Sequence, residues 1–117
     1  MVFRNPDVPL TAEQAELRRL VLKQIETHPD TFWMGEWEYS DSICGTTRCI
    51  DGWAQYLTHG KIEVIRDSNE VEVTGVRLLG LTEEEYYGGR PRGSVVSGLF
   101  YLSDKRALQE MRRLAGE

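Results

Sequence analysis

The chain of 117 residues has little cysteine and little histidine, with two of each. Two cysteines are too few for a fold held together by disulfides, and a chain of this length buries enough surface to fold without them. No apolar run approaches the roughly 20 residues that a membrane-spanning helix needs. The first seven residues lack the basic and apolar blocks of a signal peptide. These absences predict a cytoplasmic protein that does not contact a membrane.

Basic residues are also in the minority: 14 Lys and Arg stand against 19 Asp and Glu, and the formal net charge is -5. This balance argues against a protein whose whole surface binds nucleic acid. Acidic residues dominate the stretch 31–75, and basic residues dominate from position 86 onward. The simpler interpretation of this pattern is ordinary solvated surface, and the alternative is self-association through regions of opposite charge.

The length and the hydrophobic pattern predict one small α+β domain over residues 10–117, mainly helical, after an extended arm over residues 1–9. The first helix is expected to begin after Thr11, which forms a capping box with Gln14, and to end before Pro29. Apolar residues at helical spacing predict that one face of this helix lies in the core, namely Leu17, Leu20, Val21 and Ile25.

A second helix is predicted to begin near Thr46 or Thr47 as its N-cap and to stop at Gly60. Its inward residues are expected to be Cys49, Ile50, Trp53, Ala54 and Leu57. Alternating apolar and acidic residues on both sides of a turn-forming sequence then predict a β-hairpin over residues 61–74. An isolated hairpin is marginally stable in water, so this one is expected to pack on the helices.

The remainder of the chain is predicted to be helical, apart from a loop over residues 88–94 and an apolar stretch over residues 95–102 that fits either a strand or a short helix. A helical stretch is expected from Val76, and Thr82 forms a second capping box with Glu85. A last helix is expected after Ser103 or Asp104, with one apolar side formed by Leu108, Met111 and Leu114.

The most distinctive segment runs from Cys44 to Ala54 and reads Cys-Gly-Thr-Thr-Arg-Cys-Ile-Asp-Gly-Trp-Ala. It resembles a Cys-Gly-Thr-x-x-Cys-x-x-Gly-Trp-Ala motif of small actinobacterial and actinobacteriophage proteins of unassigned function. The likeness extends to other parts of the chain, namely His28-Pro29, Trp37, Leu78 to Thr82 and Leu99-Phe100-Tyr101. The resemblance implies a phage or actinobacterial accessory protein, in the host cytoplasm if phage-encoded. Asp51 departs from the pattern, in which a small residue is usual, and the loop 88–94 resembles an insertion.

Two interpretations of the motif concern its cysteines. In the structural one, a threonine caps the helix, Gly45 permits a tight entry, Gly52 allows another backbone to approach, and Trp53 fills the core. The cysteines are then small buried hydrophobes. In the other, Cys44 and Cys49 form a redox pair, because a thiol at a helix start has a lowered pKa.

Two further interpretations concern ligands. A tetrahedral metal site would need both cysteines and both histidines, namely Cys44, Cys49, His28 and His59. Their spacing matches no standard zinc pattern, so no metal and no other cofactor is predicted. The helix start could also bind an anion through Gly45, Thr46, Thr47 and Arg48, although the Gly-Lys-Ser/Thr ending of a phosphate-binding loop is absent.

Partner contacts are predicted at two tryptophans, Trp33 and Trp37, and at two arginines of the loop, Arg90 and Arg92. The alternative for the tryptophans is the core. No pattern places a nucleophile beside a base, so no catalytic residue is predicted and an enzyme is not favoured. The predicted function is binding of a protein partner, a host protein if the chain is phage-encoded. The alternatives are thiol- or metal-dependent activity at Cys44 and Cys49, and weak nucleic-acid binding by the loop 88–94.

Overall fold

The computed structural model of the protein describes residues 3–32, 34, 38–41, 45–60, 68–87 and 99–116. Five helices follow one another in these residues: α1 Ala12–Thr27, α2 Ile50–His59, α3 Ser68–Leu79, α4 Glu83–Tyr87 and α5 Asp104–Leu114. Two short 3-10 turns accompany them, Pro29–Thr31 and Leu99–Tyr101. Two strands of four residues each, β1 Glu38–Asp41 and β2 Gly45–Arg48, pair antiparallel, with Glu38 opposite Arg48 and Asp41 opposite Gly45.

The molecule is mainly helical, so the predicted α+β class with a β-hairpin over residues 61–74 is wrong. Residues 68–79 form α3 instead, and residues 61–67 lie outside the described part of the chain. Val76 and Leu79 are buried three positions apart, which is a helical spacing, and α3 packs on α2. Val71 and Val73 favour strands locally, but tertiary packing outweighs such a propensity.

The core lies between the five helices, and it includes Leu99 and Phe100 of the second 3-10 turn. Its largest fully buried apolar and aromatic side chains are Tyr86, Ile25, Ile50, Leu79, Leu81, Leu99 and Met111. The predicted apolar side of the last helix is confirmed, because Met111 and Leu114 are buried and Leu108 packs against them in part. None of the helices in the described residues combines the length and the hydrophobicity that crossing a bilayer requires.

The predicted first helix is confirmed at both ends. The Thr11 side-chain oxygen accepts the Gln14 N–H at 3.1 Å, and the Gln14 side chain accepts the Thr11 N–H at 3.0 Å. The helix ends at Thr27, and His28 follows as the C-cap before Pro29. The reciprocal bonds satisfy two backbone donors that a helix start otherwise leaves unpaired.

The buried face of α1 differs from the predicted one at three positions, since Leu20 is exposed and both Arg18 and Leu22 are buried. Leu17, Val21 and Ile25 are buried as predicted, but Leu20 is 40% exposed. Arg18 takes an inward place and is only 2% exposed. The hydrophobic stripe of α1 is therefore rotated relative to the predicted one, and a buried charge shares it.

Arg18 joins the ends of three helices. Its guanidinium donates to the carbonyls of Leu79 and Gly80 after α3 at 2.7 and 2.8 Å, and to that of Leu114 in α5 at 3.3 Å. It also binds both carboxylate oxygens of Glu85, at 3.0 and 3.1 Å. These bonds satisfy carbonyls at the ends of α3 and α5, and the Gly80 carbonyl also accepts a hydrogen bond from Arg4 at 2.7 Å.

Glu85 in turn organises the start of α4. Its side chain accepts the Thr82 N–H at 2.9 Å, and Thr82 Oγ1 accepts the Glu85 N–H at 3.1 Å, which confirms the predicted capping box. Arg4 contacts Glu85 at 3.4 Å and donates its own N–H to the Leu81 carbonyl at 2.8 Å. The chain before α1 is thereby attached to the connection between α3 and α4.

Candidate functional site

The distinctive cysteine motif starts α2 later than predicted. Gly45–Arg48 is strand β2, so a threonine does not cap the helix, and that prediction is wrong. Cys49 is the N-cap, and its Sγ accepts the Gly52 N–H at 3.4 Å. The two threonines are instead paired with β1, opposite Tyr39 and Ser40. The predicted C-terminal stop is confirmed, because Gly60 has a φ of 74°, which glycine adopts without strain.

The environment of Cys49 does not favour a reactive thiol. Cys49 is 1% exposed, and burial, with a smaller contribution from Asp51, raises the pKa of its thiol to about 12, against the opposing hydrogen bond from Gly52. The thiolate is the form that attacks disulfides and binds metals. The redox interpretation depended on a lowered pKa, and its other cysteine, Cys44, lies outside the described residues.

The two histidines of the alternative metal set lie on the surface. His28 caps the end of α1 with its backbone, and His59 is in the last turn of α2, and both are exposed. No group of three or more His, Cys, Asp and Glu side chains that could hold a metal ion occurs among the described residues. Cys49 acts here as a capping group.

Trp53 lies in the core, as predicted, and it organises the aromatic side of α2. It is 5% exposed, and its ring N–H donates to the Thr31 carbonyl at 3.1 Å. The guanidinium of Arg48 lies 4.8 Å from the Trp53 ring centre and 3.8 Å from that of Tyr56. This contact is a cation–π interaction. Arg48 therefore stacks on rings of α2, whereas the anion-binding interpretation needed it at the helix start.

Asp51 is the residue of the motif with the most unusual environment, and the sequence patterns gave it no role. It is 0% exposed. Its Oδ1 accepts a hydrogen bond from the Gln55 side chain at 3.1 Å, whereas Oδ2 has no hydrogen-bond partner among the described residues. A signal was present in the sequence, because Asp51 and Gln55 are four positions apart and share one face of α2 with the core residues.

An apolar groove between α1, α2 and α3 is a second feature that the sequence did not predict. It has a volume of about 260 Å³ and is lined by Glu13, Glu16, Leu17, Leu20, Thr58 and Leu78. Its four residues from α1 follow the spacing i, i+3, i+4, i+7, which places them in one stripe. The predicted core position Leu20 is thus an exposed wall of this groove.

The residues that the sequence predicts to contact a partner belong to parts of the chain that the structure does not describe. Trp33, Trp37, Arg90 and Arg92 lie outside the described residues, as does the loop 88–94. The backbone of the motif residues Gly45, Thr46 and Thr47 forms part of strand β2.

Comparison with known proteins gives no match for this chain, whether among family models, curated proteins or solved structures. The resemblance of the cysteine motif to actinobacterial proteins therefore remains a prediction.

Proposed function

We propose that this protein acts in the cytoplasm without catalysis, by binding an amphipathic, basic helix of a protein partner in the groove between α1, α2 and α3. The observation that carries the proposal is Leu20, a leucine on the core-forming helix that is 40% exposed beside Leu17 and Leu78. Exposed apolar side chains beside a concave apolar surface are typical of helix-in-groove recognition.

The size of the groove favours side chains of a partner over a small ligand. Its volume of about 260 Å³ lies below the roughly 300–1,000 Å³ of pockets that bury small molecules. Its apolar lining comes from α1 and α3, so it can receive leucine-like anchors spaced at i, i+3 and i+7 on a helix. The Thr58 hydroxyl donates a hydrogen bond to the Ala54 carbonyl at 2.7 Å, so this wall of the groove presents no unsatisfied hydroxyl donor.

The charges along the groove favour a basic partner. Glu13 and Glu16 both lie on its α1 side. Glu16 contacts Arg19 at 2.7 Å, and both side chains are more than half exposed. An exposed pair of this kind contributes little, about 0.2–1 kcal/mol, so a lysine or arginine of the partner can replace Arg19. The net charge of -5 also attracts a cationic partner.

A synthetic helical peptide tests the proposal. The peptide carries leucines at i, i+3 and i+7 and lysines beside them, and its control carries glutamates in place of the lysines. Amide NMR shifts are followed during titration. The basic peptide should perturb Leu17, Leu20, Thr58 and Leu78, and the acidic control should bind more weakly because Glu13 and Glu16 repel it.

Two variants complete the test. Leu20→Glu should weaken binding by tenfold or more, since burying a leucine contributes about 1.5–3 kcal/mol and 1.4 kcal/mol corresponds to a factor of ten. Val8→Ser removes a hydrophobic residue that is 51% exposed and does not line the groove, so it should leave affinity unchanged. Equal effects of the two variants, or perturbations elsewhere on the surface, would contradict the proposal. Concentration-dependent shifts of the same amides without peptide would indicate that a second copy fills the groove.

A further inference from the structure

Asp51 combines complete burial with an incomplete set of partners. Its side chain is 0% exposed at the start of α2, where Oδ1 accepts one hydrogen bond from Gln55. Oδ2 has no hydrogen-bond partner in the described part of the protein. A buried carboxylate in this situation is strongly destabilised, whereas the neutral acid is tolerated far better.

The carboxyl group of Asp51 lies directly against the backbone of α3 at Gly75. A Cβ atom added at Gly75 would fall on the carboxyl group of Asp51, so only glycine lets α3 approach this closely. Glu72 lies one turn earlier on α3, and its carboxylate accepts a hydrogen bond from the hydroxyl of Tyr86 in α4. The contact therefore leaves no room for a water molecule between Gly75 and the carboxyl group.

Within the described part of the chain, the groups that face Asp51 are acidic or neutral. From α2 these are the amide of Gln55 and the thiol of its N-cap Cys49, and from α3 the carboxyl of Glu72. Tyr86 of α4 reaches the cluster through Glu72. Burial raises the pKa of Asp51 well above its usual range, the Gln55 hydrogen bond opposes this rise, and the charge of Glu72 adds to it.

We propose that the contact between Asp51 and Gly75 is a pH-sensitive lock between α2 and α3, closed when Asp51 is protonated and open when it is ionised. An ionised Asp51 needs water, and separation of the two helices at Gly75 would admit it. Val76 follows Gly75 directly and is buried in the core, so opening exposes apolar surface as well. The opening is local, because α1 and α5 are held to each other by Arg18 and by a separate pair between Arg112 and Glu26.

Amide hydrogen exchange of the full chain tests the lock. Exchange is measured between about pH 5 and about pH 9, a range that spans the raised pKa values documented for buried carboxyls, and corrected for the intrinsic pH dependence. In the wild type, protection over residues 51–55 and 72–76 should fall at least tenfold with rising pH. In Asp51→Asn it should stay constant, because the amide does not ionise. Amide protection in α1 and α5 serves as the internal control. Its pH dependence should be the same in the wild type and in Asp51→Asn.

A second variant keeps the test decisive if Asp51→Asn does not fold. Glu72→Gln retains an acceptor for Tyr86 but removes the negative charge beside Asp51. The transition should then move to lower pH, because one repulsive charge is gone. Wild-type protection that does not change with pH would overturn the proposal. So would parallel changes in the wild type and Asp51→Asn, or a loss spread evenly over all five helices.

Discussion

Asp51 and Glu85 are two carboxyl groups that occupy similar places on their helices and meet different surroundings. Each lies in the first turn of a helix, where the helix dipole favours a negative charge. The Glu85 side chain is 20% exposed and binds Arg18 and Arg4. Asp51 is fully buried and is bonded only by the amide of Gln55 among the described residues. The helix position therefore does not decide the charge of such a group, whereas its access to water and cations does.

The pKa values of these two carboxyls move in opposite directions. Burial raises the pKa of Asp51 well above its ordinary 3.8. Burial also acts to raise the pKa of Glu85, but hydrogen bonds from Arg18 and the Thr82 backbone, with the charges of Arg18 and Arg4, lower it below 4.5.

These shifts have opposite consequences for stability. The folded-state pKa of Glu85 is lowered, so its contribution is present above its ordinary value and is lost as the pH falls through its folded value. The folded-state pKa of Asp51 is raised, so its contribution is full below its ordinary value and is lost as the pH rises through its folded value. The stability at low pH thus depends on Glu85 and its cations, and the stability at high pH depends on the buried Asp51.

The largest effect is expected when the cation of the Glu85 site is removed. Arg18→Ala should lower the free energy of unfolding in urea by about 3–5 kcal/mol, as for other buried pairs that lose one partner. It leaves Glu85 with Arg4 at 3.4 Å as its cation and removes the Arg18 donor from the carbonyls of Leu79 and Leu114, whereas the Gly80 carbonyl keeps Arg4 as a donor at 2.7 Å. The dependence of stability on the ionisation of Glu85 should also become smaller, since only the Thr82 N–H and Arg4 would then lower the pKa of Glu85.

Arg19→Ala is the matched control for Arg18→Ala, because Arg19 is the next residue and its pair with Glu16 is exposed. It should cost no more than about 1 kcal/mol. Arg18→Lys should lie between the two, since one ammonium cannot bind the carbonyls and both carboxylate oxygens together. Similar losses of unfolding free energy for Arg18→Ala and Arg19→Ala would contradict the role of Arg18 as the stabilising cation of Glu85.

A smaller effect, opposite in sign to the usual one, is expected at Gly75. Replacing a glycine inside a helix by alanine normally stabilises the helix by about 0.5–1 kcal/mol. Gly75→Ala should instead destabilise the protein by about 1–3 kcal/mol in urea unfolding, because the new methyl group overlaps the carboxyl of Asp51.

The double variant with Asp51→Ala identifies the cause of the Gly75 effect. With the carboxyl removed, Gly75→Ala should become neutral or stabilising, which gives a coupling of about 1–3 kcal/mol between the two positions. A destabilisation by Gly75→Ala that is unchanged in the Asp51→Ala background would show that the methyl group meets a different obstacle.

Local rules predicted several helix ends of this protein, but not the start of α2, where Cys49 and not a threonine is the N-cap. The capping boxes at Thr11 and Thr82 and the stop at Gly60 depend on residues within four positions of one another, so they are visible in the sequence. The same rules were wrong for α3, where Val71 and Val73 favour a strand. Which state forms there depends on packing against α2, which no local pattern contains.

The functional features depended on contacts that are distant in sequence. Arg18 bonds to groups 61 to 96 positions away. Asp51 acquires its environment from Gly75 and Glu72 on another helix. The groove appears only because packing turns Leu20 outward while Leu17 stays buried. Periodicity predicted that α1 has an apolar face, but the exact orientation of that face needed the positions of α2 and α3.

The most direct test of these opposite pKa shifts is a pH titration of the wild-type protein, in which NMR follows the carboxyl carbons of Asp51 and Glu85. Both groups are observed in one titration without any substitution. Because Asp51 is buried and Glu85 binds two arginines, we expect Asp51 to titrate clearly above its ordinary value of 3.8 and Glu85 to titrate below its ordinary value of 4.5. Titration of Asp51 at or below 3.8 would contradict this expectation, because the buried carboxyl would then be ionised in the closed contact with Gly75.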